Sequence, residues 1–351
     1  MTGYQITATL VLGLLVGCAT GASRSLPAID ALLAEYTGPA VPGASVIVIR
    51  DGHVILRRAY GVADLERHVA ASPETDYRLA SVSKQFTAMA IMLLQRDGKI
   101  RYDQPVREIL PELPAAAQGV TLRHLLDHTS GVPDYEDLIP DSQTVQVSDR
   151  DVLALLASKD TLYFPPGSAY RYSNSGYVLL GLIVERVASM PFPAFLHARI
   201  FAPLGMKASV AHVDGVDTVP HRAYGYSPKE GSEGFAPTDQ SVTSATLGDG
   251  GIYTSVDDLV RWDQALYGEG LVDAATLRLA ITPPYGFGWF VDTYRNERRW
   301  RHTGETSGFR NAIQRFPDRR FTVIVLTNRN AGEPAAIAER IADALLFGAT
   351  R

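Results

Sequence analysis

The amino-acid sequence predicts an α/β sandwich with a second, mostly helical lobe. Strand patterns occupy both ends of the chain, at residues 44–56 and 286–327, whereas helical segments broken by proline and glycine dominate residues 106–224. No repeat, low-complexity tract or linker separates the two ends. We therefore expect one sheet assembled from distant segments, with a helical insertion between them.

The composition is that of a globular protein and excludes several other classes. With 46% hydrophobic and 20% charged residues among 351, the chain is too apolar to be disordered. A net charge of −5 without a basic block argues against nucleic acid as a partner. The single cysteine, Cys18, excludes a disulfide framework and a cysteine-rich metal cluster.

The first 22 residues have the pattern of an export signal. Residues 6–16 form an uncharged apolar run, too short to span a bilayer comfortably, and small residues follow it. One feature does not fit an export signal: no lysine or arginine precedes the apolar run, and the first basic residue is Arg24. Residues 15–18 (LVGC) also resemble a bacterial lipobox, which makes Cys18 a candidate lipidation site. The alternative is a cleaved secretory signal, so we expect either a periplasmic protein or a lipoprotein attached to a membrane.

The elements of the N-terminal third follow from periodicity. Residues 44–49 and 53–56 are predicted strands joined by Asp51-Gly52, the sequence of a type I′ turn. A helix is predicted over residues 83–96, with Phe86 and Leu93 on its apolar face and Gly98 placed to end it.

Beyond residue 96, all the predicted strands lie near the C-terminal end of the chain. We predict a folded domain over residues 26–350, in which a helical lobe at about 106–250 is inserted into the α/β lobe. A polar loop covers residues 227–240, and Pro317-Asp318 forms the turn between the last two strands. The predicted helices are 122–128, 151–158, 177–188, 256–267 and 334–347, and the predicted strands are 286–294, 299–303, 310–316 and 321–327.

A serine and a lysine three residues apart open the helix predicted at residue 83. Ser81 and Lys84 lie on the same helical face. A buried lysine can accept the serine proton, and a helix N-terminus supplies backbone N–H groups for a developing oxyanion. Alone this pair is a weak signal. The chain lacks G-x-S-x-G, H-E-x-x-H, a P-loop and a dinucleotide fingerprint, and its histidines lack metal-ligand spacing.

A second candidate motif is Tyr172-Ser173-Asn174. A tyrosine beside a lysine can act as general base and then as proton donor to the leaving group. Asn174 offers an amide that can orient both the lysine and a substrate carbonyl. Tyr294 and Asn296 have the same spacing, but they lie among polar residues typical of an exposed turn, which favours Tyr172.

The third candidate motif, His302-Thr303-Gly304, lies on a predicted strand. A strand edge beside the site could pair with an extended substrate, and Thr303 could hydrogen-bond a carboxylate or carbonyl. Glycine at position 304 permits close approach. Taken alone, His302 is more typical of a half-buried strand histidine.

Together these motifs resemble the serine β-lactamase and penicillin-binding superfamily, in the branch with class C β-lactamases and D-Ala-D-Ala carboxypeptidases. The resemblance extends over about residues 29–347 and includes 122–131, 248–253 and 285–289. It implies a β-lactamase/DD-peptidase-like α/β fold in which helices flank an antiparallel sheet.

The resemblance also implies roles for individual residues. Ser81 would be the acylated nucleophile, Lys84 its activating partner and Tyr172 the general base and acid. Asn174 would bind and orient the substrate, and the backbone N–H groups of Ser81 and Glu305 would form the oxyanion hole. His302, Thr303 and Gly304 would be the substrate-facing strand. No metal or other cofactor is implied.

The residue at position 302 discriminates between members of this branch. Class C β-lactamases generally carry lysine there, a fixed cation, whereas a histidine is cationic only below a pKa near 6.5. The Tyr-Ser-Asn and His-Thr-Gly pair resembles the DD-carboxypeptidase type. We therefore expect a DD-peptidase-like serine hydrolase that acts on D-amino-acid peptides. Three alternatives remain: a carboxylesterase on the same scaffold, a class C-like β-lactamase, and a non-catalytic penicillin-binding sensor.

Overall fold

A large antiparallel sheet organises the computed structural model, which describes residues 27–268 and 270–348. The predicted export signal and Cys18 lie outside the described residues. The strands are β1 (Ala44–Arg50), β2 (His53–Tyr60), β3 (Val62–Asp64), β4 (Val69–Ala70), β5 (Tyr77–Arg78), β6 (Val210–Ala211), β7 (Tyr226–Pro228), β8 (Phe235–Pro237), β9 (Ile252–Thr254), β10 (Tyr285–Gly286), β11 (Trp289–Tyr294), β12 (Glu297–Thr306), β13 (Phe309–Phe316) and β14 (Phe321–Thr327). The large sheet has the order β10-β11-β12-β13-β14-β1-β2.

Helices cover both faces of this sheet and fill the middle of the chain. They are α1 (27–32), α2 (Lys84–Arg96), α3 (Leu122–Leu126), α4 (Asp149–Ala157), α5 (Asn174–Ala188), α6 (Phe192–Leu196), α7 (Ala202–Leu204), α8 (Val256–Ala265), α9 (Ala274–Ala280) and α10 (Pro334–Leu345). A π-helical turn, His197–Phe201, joins α6 to α7, and a 3₁₀ turn, Ala80–Ser83, precedes α2.

The centre of the sheet joins the two ends of the chain. Strand β1 pairs with β14 on one side, where Ile47 faces Ile324, and with β2 on the other. Its apolar side chains are buried on both faces, as expected of a central strand under two helical layers. Asp51 and Gly52 have φ values of +51° and +78°, which confirms the predicted turn between β1 and β2.

Two hydrophobic cores result from the alternation of side chains along these strands. On one face, Val46 packs with Ile29 and with Ile341 of α10. On the other face, Ile47 belongs to the larger core, which includes Phe86 of α2 and Trp262 of α8; the rings of these two residues lie 4.3 Å apart. The predicted sandwich is therefore confirmed.

Several element boundaries differ from the predicted ones for identifiable reasons. Helix α5 begins at Asn174 rather than 177, because the Asp134 carboxylate accepts the Asn174 backbone N–H at 2.6 Å. The strand predicted over 286–294 is two strands, β10 and β11. Between them Gly288 has a φ of +82°, and a Cβ there would lie 2.7 Å from the Gln85 Cα. Helices α1, α6, α7 and α9 were not predicted individually, and the loop predicted over 227–240 contains the paired short strands β7 and β8.

A small sheet of order β5-β9-β6 lies close to the turn that carries Ser81. Arg78 of β5 pairs with Tyr253 of β9. Because β5 ends shortly before Ser81 and β9 begins shortly after Asp249, this pairing brings the Asp249 loop beside the turn that carries Ser81.

The described part of the chain contains no single helix that is long and apolar enough to cross a membrane, although α5 and the helical stretch 192–204, bent by 77°, pass together by length and composition. Across those same residues, no group of three or more histidine, cysteine, aspartate or glutamate side chains is arranged to hold a metal ion.

Candidate active site

Ser81 lies on a constrained turn at the entrance to α2. The backbone N–H of Leu79 donates to the carbonyl of Ile252 at 2.8 Å, which ties this turn to β9. Ala80 then adopts a φ of +50°, a conformation that costs a non-glycine residue on the order of 1–3 kcal/mol. The strained turn leaves Ser81 half-buried, at the edge of an open cleft.

Lys84 is fully buried and connects three parts of the chain. Its Nζ atom donates to Ser81 Oγ at 3.1 Å, to Asn174 Oδ1 at 2.7 Å and to the Asp249 carbonyl at 3.0 Å. These three acceptors satisfy all the hydrogens of an ammonium group. The structure thus brings Ser81, Lys84 and Asn174 together, as the motifs predict.

Two carboxylates from a segment about 40 residues earlier in the chain, those of Asp134 and Glu136, orient Asn174. Asp134 holds its backbone N–H, as described above, and Glu136 Oε1 accepts from its side-chain Nδ2 at 3.1 Å. With the amide nitrogen held in this way, the amide oxygen faces Lys84. Asn174 therefore lines the cleft with its side chain fixed at both ends.

Tyr172 places its ring beside Lys84. Lys84 Nζ lies 5.0 Å from the ring centroid, and the ring of His128 packs at 4.3 Å. Its hydroxyl is buried and has no hydrogen-bond partner among the described residues. A buried hydroxyl without a partner is costly, and catalytic hydrogen bonds are often completed only when substrate arrives.

His302 lies behind the cleft rather than in it. It is 2% exposed, its Nδ1 lies 2.5 Å from the Thr303 carbonyl, and its Nε2 lies 3.0 Å from the Tyr285 hydroxyl. A carbonyl can only accept, so Nδ1 carries the hydrogen and Nε2 accepts from Tyr285. Burial and the nearby charge of Lys84 lower the pKa of His302 to about 3. The structure therefore gives His302 no direct contact with the cleft and keeps it neutral.

The outer part of strand β12 reaches the cleft. Thr303 and Glu305 share one face of this strand because side chains alternate along it. Glu305 lines the same cleft as Ser81, as expected if their two backbone N–H groups act together, and Thr303 is half-buried.

Because residue 304 is a glycine, strand β12 packs directly against the turn that carries Ser81. A Cβ at this position would lie 2.0 Å from the Leu79 carbonyl oxygen and 3.3 Å from the Ala80 Cβ. Because both neighbours belong to the strained segment before Ser81, any larger residue must push the strand away from that segment.

We expect Gly304→Ala to destabilise the protein by about 1–3 kcal/mol, since the clash involves backbone that cannot rotate away. Acylation of Ser81 should slow as well, because the turn moves. Thermal unfolding and single-turnover acylation would be compared with Gly270→Ala, where an added Cβ meets nothing within 4 Å. If both variants behave as the native protein does, the close approach does not matter.

Three further cleft residues were not predicted from the sequence. Tyr135 donates its hydroxyl to Asp249 Oδ2 at 3.0 Å, and both residues line the cleft with Glu136. Desolvation, together with the charges of Asp134 and Asp249, raises the pKa of Glu136 to about 7. Residues 248–253 carried part of the resemblance, but a loop sequence does not reveal which way its side chains point.

Comparison with known proteins agrees with this geometry. Residues 29–346 match the protein family described as Beta-lactamase. The chain is 32% identical over 328 residues to Penicillin-binding protein 4* of Bacillus subtilis, covering 87% of this chain and 72% of that protein. It is 33% identical over 334 residues to a D-aminopeptidase of Cereibacter sphaeroides, covering 91% of this chain but only 62% of that protein.

Solved structures match over nearly the whole chain. The octameric penicillin-binding protein homologue from Pyrococcus abyssi superposes with a TM-score of 0.79 at 27% identity, covering 93% of this chain and 77% of the other. A D-amino acid amidase from Ochrobactrum anthropi, complexed with L-phenylalanine amide, gives a TM-score of 0.77 at 26% identity, covering 92% and 98%. The resemblance inferred from the three motifs is confirmed, and the chain belongs to the Beta-lactamase family.

Proposed function

We propose that the protein is a DD-peptidase-like serine hydrolase that cleaves peptides and amides of D-amino acids through a covalent acyl-enzyme. The observation that carries the proposal is the 3.1 Å hydrogen bond from Lys84 Nζ to Ser81 Oγ at the edge of an open cleft. Relatives named D-aminopeptidase and a structural neighbour named D-amino acid amidase support the substrate class.

In the proposed first half-reaction, Tyr172 acts as a phenolate that has released its own proton to solvent. Ser81 Oγ attacks the substrate carbonyl carbon while the serine proton passes to the Tyr172 oxygen. Lys84 holds Ser81 in place and supplies positive charge beside the Tyr172 ring. The backbone N–H groups of Ser81 and Glu305 receive the oxyanion, and each such donor lowers the barrier by about 3 kcal/mol. The intermediate collapses by breaking the C–N bond, and the departing amine takes the proton from Tyr172.

In the second half-reaction, water replaces the amine. The water loses a proton to the Tyr172 phenolate as its oxygen attacks the acyl carbon. The ester bond to Ser81 then breaks as Oγ takes that proton from Tyr172, which returns to the phenolate. The buried, unpartnered hydroxyl of Tyr172 suits this double role, because it has no competing partner among the described residues.

The state of His302 favours this function over a class C-like β-lactamase. A lysine at that position would offer a fixed cation to a substrate carboxylate, whereas His302 is buried and neutral. Esters need the same acyl-enzyme and less help for the leaving group, so modest esterase activity is expected alongside peptide and amide hydrolysis.

A substrate panel tests the proposal. Purified protein would be given D- and L-phenylalanine amide, a D-Ala-D-Ala peptide, a short-chain p-nitrophenyl ester and a chromogenic cephalosporin. We expect at least one D-substrate to be hydrolysed about tenfold faster than its L-counterpart. Rapid cephalosporin turnover without cleavage of D-substrates would establish a β-lactamase instead, and ester turnover alone would establish a carboxylesterase.

A further inference from the structure

We propose that His128 is a positioning residue for Tyr172, which it holds through both neighbouring peptide groups and through its ring. The inference rests on the proposed function, in which Tyr172 transfers the protons. His128 itself is 1% exposed, does not line the cleft and takes no part in those proton transfers.

His128 fixes the backbone on either side of Tyr172. The carbonyl of His128 accepts the Arg171 N–H at 3.0 Å, and its Nδ1 accepts the Ser173 N–H at 3.1 Å. Because the tyrosine side chain starts between these two peptide groups, the direction in which it points depends on where His128 lies.

The imidazole of His128 also packs against the Tyr172 ring itself. The centroids of these two rings lie 4.3 Å apart, and the His128 ring lies 4.4 Å from that of Tyr285. Tyr285 is held in turn by its hydrogen bond to His302. The Tyr172 ring therefore packs against a side chain that close neighbours keep in place.

The contact with Ser173 requires a neutral imidazole. Nδ1 accepts the backbone N–H, so the ring hydrogen is on Nε2. Burial, and then the nearby charge of Lys84, hold the pKa of His128 well below its ordinary value. The imidazole is therefore uncharged at neutral pH, and its acceptor remains available to Ser173.

Two features of His128 are unfavourable for stability. Its φ of +60° lies in the left-handed region, and its Nε2 is buried without a hydrogen-bond partner among residues 27–268 and 270–348. Backbone strain of this kind is found most often at functional sites, and an unpaired buried donor in a native structure also calls for a reason. Their coincidence beside Tyr172 favours a role in the reaction over one in stability alone.

The segment that carries this histidine is anchored to the chain just before Tyr172. The Thr129 carbonyl accepts the Gly167 N–H at 2.8 Å, and the Gly131 carbonyl accepts the Tyr163 N–H at 2.7 Å. The two segments are therefore fixed to each other along their backbones, which lets one side chain determine the position of the tyrosine.

Two esters with the same acyl group test the inference. The p-nitrophenolate released from p-nitrophenyl butyrate is a stable anion, whereas the ethoxide of ethyl butyrate needs a proton from Tyr172 as it departs. Because both esters give the same acyl-enzyme on Ser81, the two values of kcat/KM differ only in acylation.

His128→Asn removes the ring but leaves a short amide that can accept from Ser173 and tolerates a left-handed backbone. We expect kcat/KM for ethyl butyrate to fall about 10- to 100-fold, and the loss for p-nitrophenyl butyrate to be about tenfold smaller. His128→Phe, which keeps a ring but removes the acceptor, should change the ratio in the same direction. His68→Asn is the matched control, because this exposed histidine also has a left-handed φ, +53°.

Rates are expressed per acylatable site, counted by intact-protein mass, so that unfolded protein does not contribute. Equal losses for the two esters, which a general disturbance around Ser81 would cause, overturn the inference. Rates within about threefold of the native protein for both His128 variants overturn it as well.

The same esters distinguish this inference from the proposed function. If the native chain forms no acyl-enzyme with either ester, the serine hydrolase function is wrong and the positioning role falls with it. If the esters acylate Ser81 but no D-substrate is cleaved, only the substrate class is wrong, and the ratio of the two ester rates still decides the role of His128.

Discussion

Ser81→Ala is expected to reduce hydrolysis of D-amino-acid amides by roughly 10⁴- to 10⁶-fold, the scale on which loss of a nucleophile disables a serine hydrolase. Folding should be nearly unaffected, because the hydroxyl is half-buried and its hydrogen bond is donated by Lys84, which keeps two other acceptors. The cleft and its charges should also persist, so substrate should still bind.

Intact-protein mass measured after incubation with a penicillin or a slow ester tests the same variant more directly. The native chain should gain the mass of one acyl group, and Ser81→Ala should gain none. Ser168→Ala, an exposed serine that bonds only its own turn, is the control and should acylate normally. An adduct on Ser81→Ala would assign the nucleophile to another residue.

Lys84→Met is expected to slow acylation by roughly 10²- to 10³-fold, because Ser81 loses the donor that holds it and Tyr172 loses the positive charge beside its ring. Methionine fills most of the volume but leaves Asn174 Oδ1 and the Asp249 carbonyl without their donor. Each unsatisfied buried acceptor costs about 1–3 kcal/mol, and removing a buried charge offsets part of this. We therefore expect a lower melting temperature as well as a slower rate.

Stopped-flow acylation separates these two effects, since it reports the chemical step on the folded fraction alone. Lys99→Met, at an exposed position after α2, removes the same charge without touching the site and should leave both quantities unchanged. Acylation by Lys84→Met within tenfold of the native rate would mean that another group activates Ser81.

Much of the fold could be predicted because its strands and helices are strongly periodic. The β1–β2 turn required only the Asp51-Gly52 pair, whose two positive φ values are favoured at those residue types. The start of α5 could not be predicted, because its cap is supplied by Asp134, 40 residues earlier. Helices α6 and α9 are short and were obscured by proline and by weak periodicity.

In the candidate site, too, some contacts follow from the local sequence and others do not. Ser81 and Lys84 are neighbours through helical spacing alone, whereas Asn174 and Asp249 reach Lys84 through tertiary packing. The choice of Tyr172 over Tyr294 agrees with the structure, in which residues 295 and 296 form the turn between β11 and β12 with φ values of +50° and +64°.

The environment of His302 could not be predicted from the sequence. Strand periodicity gives the alternation of its neighbours but not which face meets the cleft, and the structure turns His302 toward Tyr285. Glu136 and Asp249 come from separate segments, and no local pattern predicts that they line one cleft.

The pairing of β1 with β14 also determines when activity can appear during synthesis. Ile47 finds its partner Ile324 only after almost the entire chain has left the ribosome, and until then β1 has one neighbour instead of two. The strands that press on the Ser81 turn are also late, since β12 and β13 end at Thr306 and Phe316. A nascent or prematurely ended chain therefore lacks strands that complete the site, and we expect hydrolysis to begin only once the last few dozen residues have been made.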